Sequence, residues 1–470
     1  MSAAPQSATA TATMALSLRQ SLALAGIAVA GAFLAWTPAG SAETRAAAVI
    51  LLAIGLWATG WLPEWLTAFV FFTLCMVAKV APPSDVFAGF ASSATWLVLS
   101  GVVIGAAIRH TGLGDRLAGS LAPLIGKSFA KAVIAVTLFG VTMTFAMPSA
   151  MGRVVLMLPI LIALARHLGY AEGTRGQVGI VLAGLFGTYL PASAVLPANV
   201  PNNVFVGTVE AVLGNAPAYG QYLLLHFPVL GIAKTLILIP LLIVLYRDTP
   251  RAETSDTPVG TTTTTAGEIH LALLLLAAVA LWATDRWHGI SAAWVGMIVA
   301  VWCLFPASGL LRPKPFQSLG FEPVFYVSGI VGMGAVADHS GLGTRIAEWL
   351  LSILPLAPDA PAQTFVGLST LSTLVGLFVT LPGVPAVMTP MVPALAEATR
   401  WSPEVVAMTQ VIGFSTVLLP YQAPPLVVAI QSGGLPAKEV VRMCLITAAI
   451  TIILLWPLDY LWWKALGVIG

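Results

Sequence analysis

The chain has 470 residues, of which 58% are hydrophobic and only 9% are charged, and its net charge is +2. Together with a mean hydropathy of +0.93, this composition is typical of an all-α polytopic membrane protein and excludes a large soluble domain. The small net charge, with basic residues scattered in loops, argues against a nucleic-acid partner. Cys75, Cys303 and Cys444 lie far apart in apolar spans, which predicts buried apolar residues rather than a disulfide or a metal site.

The first part of the chain, residues 18–131, is a series of apolar spans that ends in a surface helix. Residues 1–17 form an Ala/Thr/Ser-rich tail that is expected to be disordered. Leu18–Trp36 is favoured as a retained first helix, the alternative being a signal peptide cleaved near Gly40–Ala42. The elements that follow are apolar spans near Ala46–Leu62, Trp65–Val80 and Ser93–Ile108, and a surface helix over Thr111–Ile125.

Ala132–Ala165 contains one charge, Arg153, in 34 residues. A helix of that length measures roughly 50 Å at about 1.5 Å per residue, too long for a single crossing of about 30 Å, and it lacks the polar loop that two crossings require. We therefore predict a re-entrant hairpin with its tip at Pro148–Ala150 and the first N–H groups of its second arm at mid-membrane. The alternative is one helix kinked at Pro148, with Arg153 reaching a headgroup.

A broken helix is predicted after this hairpin. The helix Gln177–Leu196 runs into the sequence 190–203, in which three prolines and three asparagines interrupt an apolar run. Exposed backbone carbonyls are tolerated at membrane depth only where they line a cavity. Tyr222–Tyr246 completes the first unit, and residues 247–268 form a polar cytoplasmic linker.

The second half of the chain repeats the first. Leu56-Trp57-Ala58-Thr59 recurs from Leu281, His110–Leu121 from His339, Pro148 from Pro382 and Leu190 from Leu419, at offsets of 225, 229, 234 and 229 residues. The second unit divides in the same way, into residues 269–359 and 360–470. Their elements are spans near Ile269–Thr284, Ser291–Phe305 and Phe321–Ala337, a surface helix Leu342–Leu354, a hairpin within Ala360–Ala396, a helix Val405–Ile430 broken at Pro420–Pro425, and a span Met443–Trp463.

Each repeat has five crossings and a hairpin, which predicts two inverted repeats, about 11 transmembrane helices in total, and hairpin tips that meet near the midplane. Thirteen basic residues then fall on the cytoplasmic side and six outside, leaving Arg153 and Lys234 in the membrane. This balance agrees with the positive-inside rule if the N-terminus is cytoplasmic and the C-terminus periplasmic, in a bacterial-type inner membrane.

From about Leu51 onward the chain resembles the divalent anion:sodium symporters, which carry di- and tricarboxylates or sulfate. The resemblance rests on the Leu-Trp-Ala-Thr segment with Trp61-Leu62-Pro63 and Thr67-Ala68, the two His-x-Gly-Leu-Gly-x-Arg segments, the prolines Pro159 and Pro393, and Pro201-Asn202-Asn203-Val204. It implies a homodimer with a static scaffold, here residues 18–131 and 269–359, and a moving transport domain that holds both hairpins, here residues 132–246 and 360–470. At the hairpin tips, where the family has Ser-Asn-Thr, this chain has Ser149-Ala150-Met151 and Gly383-Val384-Pro385, so only Ser149 matches.

These observations predict a secondary carrier of a small anion that works as an elevator, with sodium or protons as the coupling ion and no catalytic or metal site. The predicted substrate-binding residues are Ser149, Arg153, Asn199, Asn202, Asn203, Gly383, Tyr421 and Gln422. The candidate ligands for Na⁺ are Thr144, Ser149, Asn199, Asn202, Thr380 and Gln422.

Other classes of protein fit the sequence less well. A nucleotide-driven pump lacks a phosphate loop and a membrane enzyme lacks a catalytic motif. A cation/proton antiporter of similar architecture is the closest alternative. It is expected to keep an acidic residue at mid-membrane, and neither hairpin nor either broken segment contains one.

Overall fold

The computed structural model describes residues 18–36, 42–113, 116, 128–250, 265–353, 356, 359–433 and 435–469. Several predicted features lie outside these residues: the N-terminal tail, the possible signal-peptide cleavage site, most of the first surface helix, and the linker from 251 to 264. In the described part every regular element is a helix, and the predicted all-α polytopic membrane fold is confirmed.

The first half contains nine helices that are used below. They are α1 (Leu18–Trp36), α2 (Ala42–Thr59), α3 (Glu64–Val77), α4 (Ser93–Thr111), α5 (Phe129–Ala146), α6 (Ala150–His167), α7 (Arg175–Tyr189), α8 (Val200–Leu213) and α9 (Tyr219–Tyr246). Helix α9 is continuous, with a π-helical segment at Phe227–Ala233.

The second half follows the same order. Its helices are α10 (Ala266–Ala283), α11 (Ala292–Leu304), α12 (Glu322–His339), α13 (Leu342–Ile353), α14 (Pro361–Phe378), α15 (Gly383–Met388), α16 (Val392–Thr399), α17 (Pro403–Phe414), α18 (Pro424–Gly433) and α19 (Ala437–Ala465). Helix α19 also contains a π-helical segment, at Thr451–Leu455.

Six helices of the described residues are long and apolar enough to cross a membrane. They are Ser93–Thr111, Phe129–Ala146, Ala150–His167, Arg175–Ala194, Tyr219–Tyr246 and Ala437–Ala465. Shorter apolar helices, such as Glu64–Val77 and Ala292–Leu304, fall below that length. The predicted total of about 11 crossings therefore stays a prediction.

The first predicted hairpin is broken at the expected position. Helix α5 ends at Ala146 and α6 begins at Ala150, with Met147 and Ser149 both in extended conformation. Ser149 starts the second arm as an N-cap, because its Oγ accepts a hydrogen bond of 3.1 Å from the N–H of Gly152. The chain thus leaves the helical conformation altogether, and the alternative of one kinked helix is wrong.

Each arm of this hairpin has 18 residues, which corresponds to about 27 Å. The arms are longer than the sequence suggested, and each is long enough to cross the hydrocarbon core alone. The re-entrant path consequently stays a prediction. The second hairpin has an equivalent break at Val379–Pro382, between α14 and α15.

Reciprocal packing relates the two halves. Helix α4 packs on α11, and its counterpart α12 packs on α3. In the same way α8 packs on α15 of the second hairpin, and α18 packs on α6 of the first. Each packing contact between the halves therefore has an equivalent contact in which the roles of the two halves are exchanged, as a two-unit repeat predicts.

Small residues let α5 and α7 approach closely beneath the first tip. A Cβ built on Gly187 would lie 2.7 Å from the carbonyl oxygen of Thr137, and one built on Gly140 would lie 2.7 Å from the amide nitrogen of Thr188. Both neighbouring atoms belong to the backbone, which cannot rotate away. Close contact of this kind, through small residues, is a common basis for helix association in membranes.

We expect Gly187→Ala to destabilise the protein by about 1–3 kcal/mol, the usual cost of overpacking, and to lower the melting temperature in detergent. Gly55→Ala is the matched control, because no atom lies within 4 Å of a Cβ at that exposed helical position. Equal melting temperatures for the two variants would contradict close packing of α5 against α7.

Candidate functional site

A cavity of about 140 Å³ lies between the first hairpin tip, both broken helices and the helices α3, α4 and α12. The chain segments that meet there are far apart in sequence. Its lining includes Pro148–Met151 from the first tip, Asn199–Pro201 and Asn203 from the first broken helix, Pro382 from the second tip, and Pro424 and Pro425 from the second broken helix. The predicted meeting of tips and broken helices at one site is thus observed.

The first broken helix follows the predicted course. After α7 ends at Tyr189, the chain forms two short 3₁₀ turns, Pro191–Ala194 and Leu196–Ala198, before α8 begins at Val200. Asn199 caps α8, because its Oδ1 accepts a hydrogen bond of 3.0 Å from the N–H of Asn202. The prolines remove N–H donors, and the carbonyls that lose helical partners need side chains to satisfy them.

Asn202 is one of those side chains. Its Nδ2 donates to the carbonyl oxygens of Ala192 and Val195, at 2.9 and 2.8 Å. Because Asn202 is fully buried and is absent from the cavity wall, it holds the broken segment in shape rather than facing the cavity. Its Oδ1 remains without a hydrogen-bond partner.

The cavity wall presents polar groups that are still available. The N–H groups of Ala150 and Met151, in the first turn of α6, have no acceptor within the described part of the chain, and they lie at the positive end of that helix. The Oδ1 of Asn203 is buried and also lacks a partner. Free N–H groups at a helix N-terminus are suited to an anion.

Arg153 is fully buried one turn behind the first tip. Its Nε donates to Thr188 Oγ1 at 2.8 Å and its Nη2 to the Thr188 carbonyl at 3.1 Å. Its Nη1 donates to the carbonyl oxygens of Met147 and Ala198. The guanidinium therefore joins the tip to both ends of the first broken segment, and it reaches no headgroup.

Arg153 does not itself line the cavity. However, the residues that follow two of its acceptors, Pro148 and Asn199, do. Among the ion pairs of the described residues none includes Arg153. A positive charge without a carboxylate partner thus lies immediately behind the cavity wall.

The second tip differs from the first. The N–H of Gly383 is already bonded to the Thr380 carbonyl at 2.8 Å, so in this conformation Gly383 cannot offer it to a ligand. Gln422 is buried, and its Nε2 donates to the Gly376 carbonyl at 2.6 Å while its Oε1 accepts from Leu418 and Leu419. Tyr421 is 43% exposed and donates to the carbonyl of Leu377. Neither side chain lines the cavity.

The ion-ligand candidates separate into two groups. Ser149 and Asn199 line the same cavity, with Asn202 directly behind it. Thr144 donates to the Val141 carbonyl at 2.6 Å, one turn before the first tip, and Thr380 is buried at the second tip. Ser149, Asn199 and Asn202 therefore bring several oxygens together at the first tip, whereas the second tip supplies fewer.

Three polar residues of the cavity were not predicted: Glu64, Tyr189 and Tyr326. Glu64 begins α3 directly after Pro63. In the sequence, Glu64 is recognisable as an isolated carboxylate at the start of an apolar span. The tyrosines gave no comparable signal, because aromatic residues are common in membrane helices.

Glu210, the acid nearest the first broken segment, has a definite structural partner. Its Oε2 accepts hydrogen bonds from the Ser93 N–H and Oγ, each at 2.8 Å, and from Ser92 Oγ at 3.2 Å. It therefore caps the N-terminus of α4 from the C-terminal end of α8.

We expect Asn202→Ala to lower the stability of the protein by about 1–3 kcal/mol for each carbonyl left unsatisfied, visible as a lower melting temperature. Asn203→Ala provides the matched comparison, because the Oδ1 of Asn203 has no partner to lose. A larger loss of stability for Asn203→Ala than for Asn202→Ala would contradict these assignments.

Residues 17–469 match the family described as the sodium:sulfate symporter transmembrane region. The chain belongs to this family. It is accordingly a multi-pass membrane transporter, and the family predicted from the sequence is confirmed. Family membership also agrees with sodium as a coupling ion, although the family description alone does not specify one for this chain.

Individual proteins are similar over different parts of the chain. A protein of Cupriavidus necator described as "Membrane protein" is 24% identical over 396 residues, 81% of this chain and 76% of that protein. "Dicarboxylate transporter 2.2, chloroplastic" of Arabidopsis thaliana is 31% identical over 126 residues, 27% of this chain and 23% of that protein. The crystal structure of the Alcanivorax borkumensis YdaH transporter is similar in fold, with a TM-score of 0.50 and 15% identity over 81% of this chain and 86% of that one.

Proposed function

We propose that this protein is a secondary active transporter of a small organic anion, most specifically a di- or tricarboxylate, across the inner membrane of a bacterial-type cell. The observation that carries the proposal is the cavity with free N–H groups on Ala150 and Met151 and the unpaired charge of Arg153 behind it. A buried charge is costly unless it is compensated, and a bound anion supplies that compensation.

The choice of a carboxylate has independent support. The relative from Arabidopsis thaliana is described as a dicarboxylate transporter, and the cavity wall is largely apolar, with several prolines. Such a wall suits the hydrocarbon part of an organic acid better than sulfate, whose oxygens all require donors. Ser149, Asn199 and Asn203 are the proposed side-chain ligands of the substrate.

For coupling, we propose one sodium site beside the anion, or protons in its place. Na⁺ prefers several oxygen ligands, as hard cations do. Ser149, Asn199 and the Oδ1 of Asn203, which has no partner among the described residues, line the cavity and offer such a set near the first tip, with Asn202 directly behind them. At the second tip the side chain of Gln422 is already bonded, which supports one sodium ion rather than two.

A thermal-shift screen of the purified protein tests the substrate class. We expect succinate or citrate to raise the melting temperature, sulfate to raise it less, and Na⁺ to enhance the shift, because ligands that bind only the folded state stabilise it. Arg153→Lys keeps the charge but loses the planar fork, so we expect a weaker shift with succinate. Arg166→Lys, at the exposed end of the same helix, is the matched control.

The screen also tests the competing function. A cation/proton antiporter requires a carboxylate in its cavity, and Glu64 now provides one. Glu64 lies on α3, in the part predicted to be static, which disfavours it as a travelling cation site. Stabilisation by Na⁺ or H⁺ alone, abolished by Glu64→Gln and unaffected by any anion, would overturn the proposal in favour of the antiporter.

For the mechanism, we propose that the hairpins and broken helices slide as one block along α3, α4 and α12. The cavity between these two sets of helices supports the proposal, because its walls come from both.

Paired cysteines at Met151 of the first tip and Val98 of α4, both in the cavity wall, test it with crosslinkers in proteoliposomes. We expect substrate and a sodium gradient to shift the crosslinked register by more than one helical turn, about 5 Å, and a single fixed register would exclude an elevator.

A further inference from the structure

The two π-helical segments occur at related places, in the last long helix of each half. Phe227–Ala233 interrupts α9 and Thr451–Leu455 interrupts α19. Such segments are rare and often mark functional sites. Ionisable side chains lie beside both: Lys234 directly follows the first, and Asp459 lies one turn after the second.

Asp459 is 0% exposed and lies near enough to Lys234 for the two charges to interact. Neither of its carboxylate oxygens has a hydrogen-bond partner within 3.5 Å in the described chain, and the indole N–H of Trp463 is a donor that faces the carboxyl group. Lys234 is 4% exposed and donates to the carbonyl oxygen of Ser415 at 2.7 Å. The ion pairs within 4.0 Å in the described part do not include these two residues. A charged Asp459 would draw the lysine into contact, so the observed arrangement fits a carboxyl group that holds a proton.

The surroundings of Asp459 contain few other ionisable groups. The N-terminal part of α9 contributes His226, which is fully buried with both ring nitrogens unpartnered, and the phenols Tyr219 and Tyr222. The ring of His226 lies 5.8 Å from that of Trp463, one turn after Asp459. The packed segments of α14 and the two π-helical segments have no charged residue or histidine.

Hydrogen bonds connect side chains of α9 and α19 to both broken helices. Lys234 donates a hydrogen bond to the carbonyl of Ser415, the residue directly after α17. Trp456 Nε1 donates to Thr416 Oγ1 at 3.3 Å. On the other side, Tyr222 donates to the Ser193 carbonyl at 2.6 Å. A change of charge at Asp459 therefore reaches segments that form the cavity described above.

Water has limited access to Lys234. A cavity of about 10 Å³ is lined by Lys234, Leu190, Thr447 and Thr451, among others. That volume accommodates about one water molecule.

We propose that Asp459 is a proton-binding site that couples transport to H⁺ through Lys234. The Asp459 carboxylate takes up one proton from one side of the membrane and becomes a neutral carboxyl group, which leaves Lys234 on Ser415. Release of that proton on the other side restores the carboxylate, which draws the ammonium group away from Ser415 and loosens the second broken helix. This inference rests on the proposed function and on the predicted transport parts, residues 132–246 and 360–470, which contain α9 and α19.

Infrared difference spectroscopy of the purified protein between two pH values tests the site without any substrate. We expect a band of a protonated carboxyl group that Asp459→Asn abolishes, whereas Asp359→Asn, at an exposed position, preserves it. Lys234→Gln removes the counter-charge, so we expect the carboxyl group to stay protonated at both pH values; its band then cancels in the difference spectrum and remains in the absolute spectrum at each pH. A band unchanged by Asp459→Asn, or one that titrates normally in Lys234→Gln, would overturn the proposal.

Uptake of ¹⁴C-succinate into proteoliposomes tests the coupling. We expect an inward proton gradient to accelerate uptake by the wild-type protein, and Asp459→Asn to lose that acceleration while retaining exchange of internal for external succinate. Gradient-driven uptake that survives in Asp459→Asn would exclude this residue as the coupling site. If the wild-type protein moves no anion, the proposed function fails, and the infrared result still decides whether Asp459 binds a proton.

Discussion

The arrangement of the first tip and the first broken helix depends on the hydrogen bonds of the Arg153 guanidinium. Both elements give up helical hydrogen bonds at apolar positions, which leaves carbonyl groups that neither lipid nor water can satisfy. One planar side chain with several donors bonds the carbonyls of Met147, Thr188 and Ala198 together. A lysine could not reach the same set, because its donors radiate from a single nitrogen.

The second half solves the same problem with a neutral side chain. Gln422 bonds α14 through the carbonyl of Gly376, and its own backbone oxygen accepts from the N–H of Leu381 at the second tip. Positive charge is consequently concentrated on one side of the cavity. That asymmetry gives a bound anion a preferred orientation, with its charged end towards the first tip.

Much of this architecture could be predicted from the sequence, because broken helices in membranes require prolines and amides that are visible as residue types. The break at Met147–Ser149 and the 3₁₀ turns after Tyr189 follow from Pro148, Pro191 and Pro197. The individual roles of neighbouring polar residues could not be predicted. Asn202 and Asn203 are adjacent and chemically identical, and only the rotation of the helix start turns one towards the carbonyls and the other towards the cavity.

Contacts between residues that are far apart in the chain could not be predicted from the sequence either. Glu64 reaches the cavity only because α3 packs against α12, and Asp459 faces Lys234 only because α19 packs against α9. Neither pairing leaves a local pattern. The repeat, by contrast, was detectable because it copies whole segments, and its reciprocal packing then follows from the copied surfaces.

The cap that Glu210 places on α4 has a consequence for the rate of transport. Three hydrogen bonds converge on one carboxylate oxygen at the junction of α8 with α4. In the proposed elevator movement, a slide of α8 past α4 breaks all three bonds together and leaves a carboxylate and a helix N-terminus without partners. The three bonds would then add to the activation barrier of that movement, and the strength of this single cap would help to set how often the transporter leaves the described conformation.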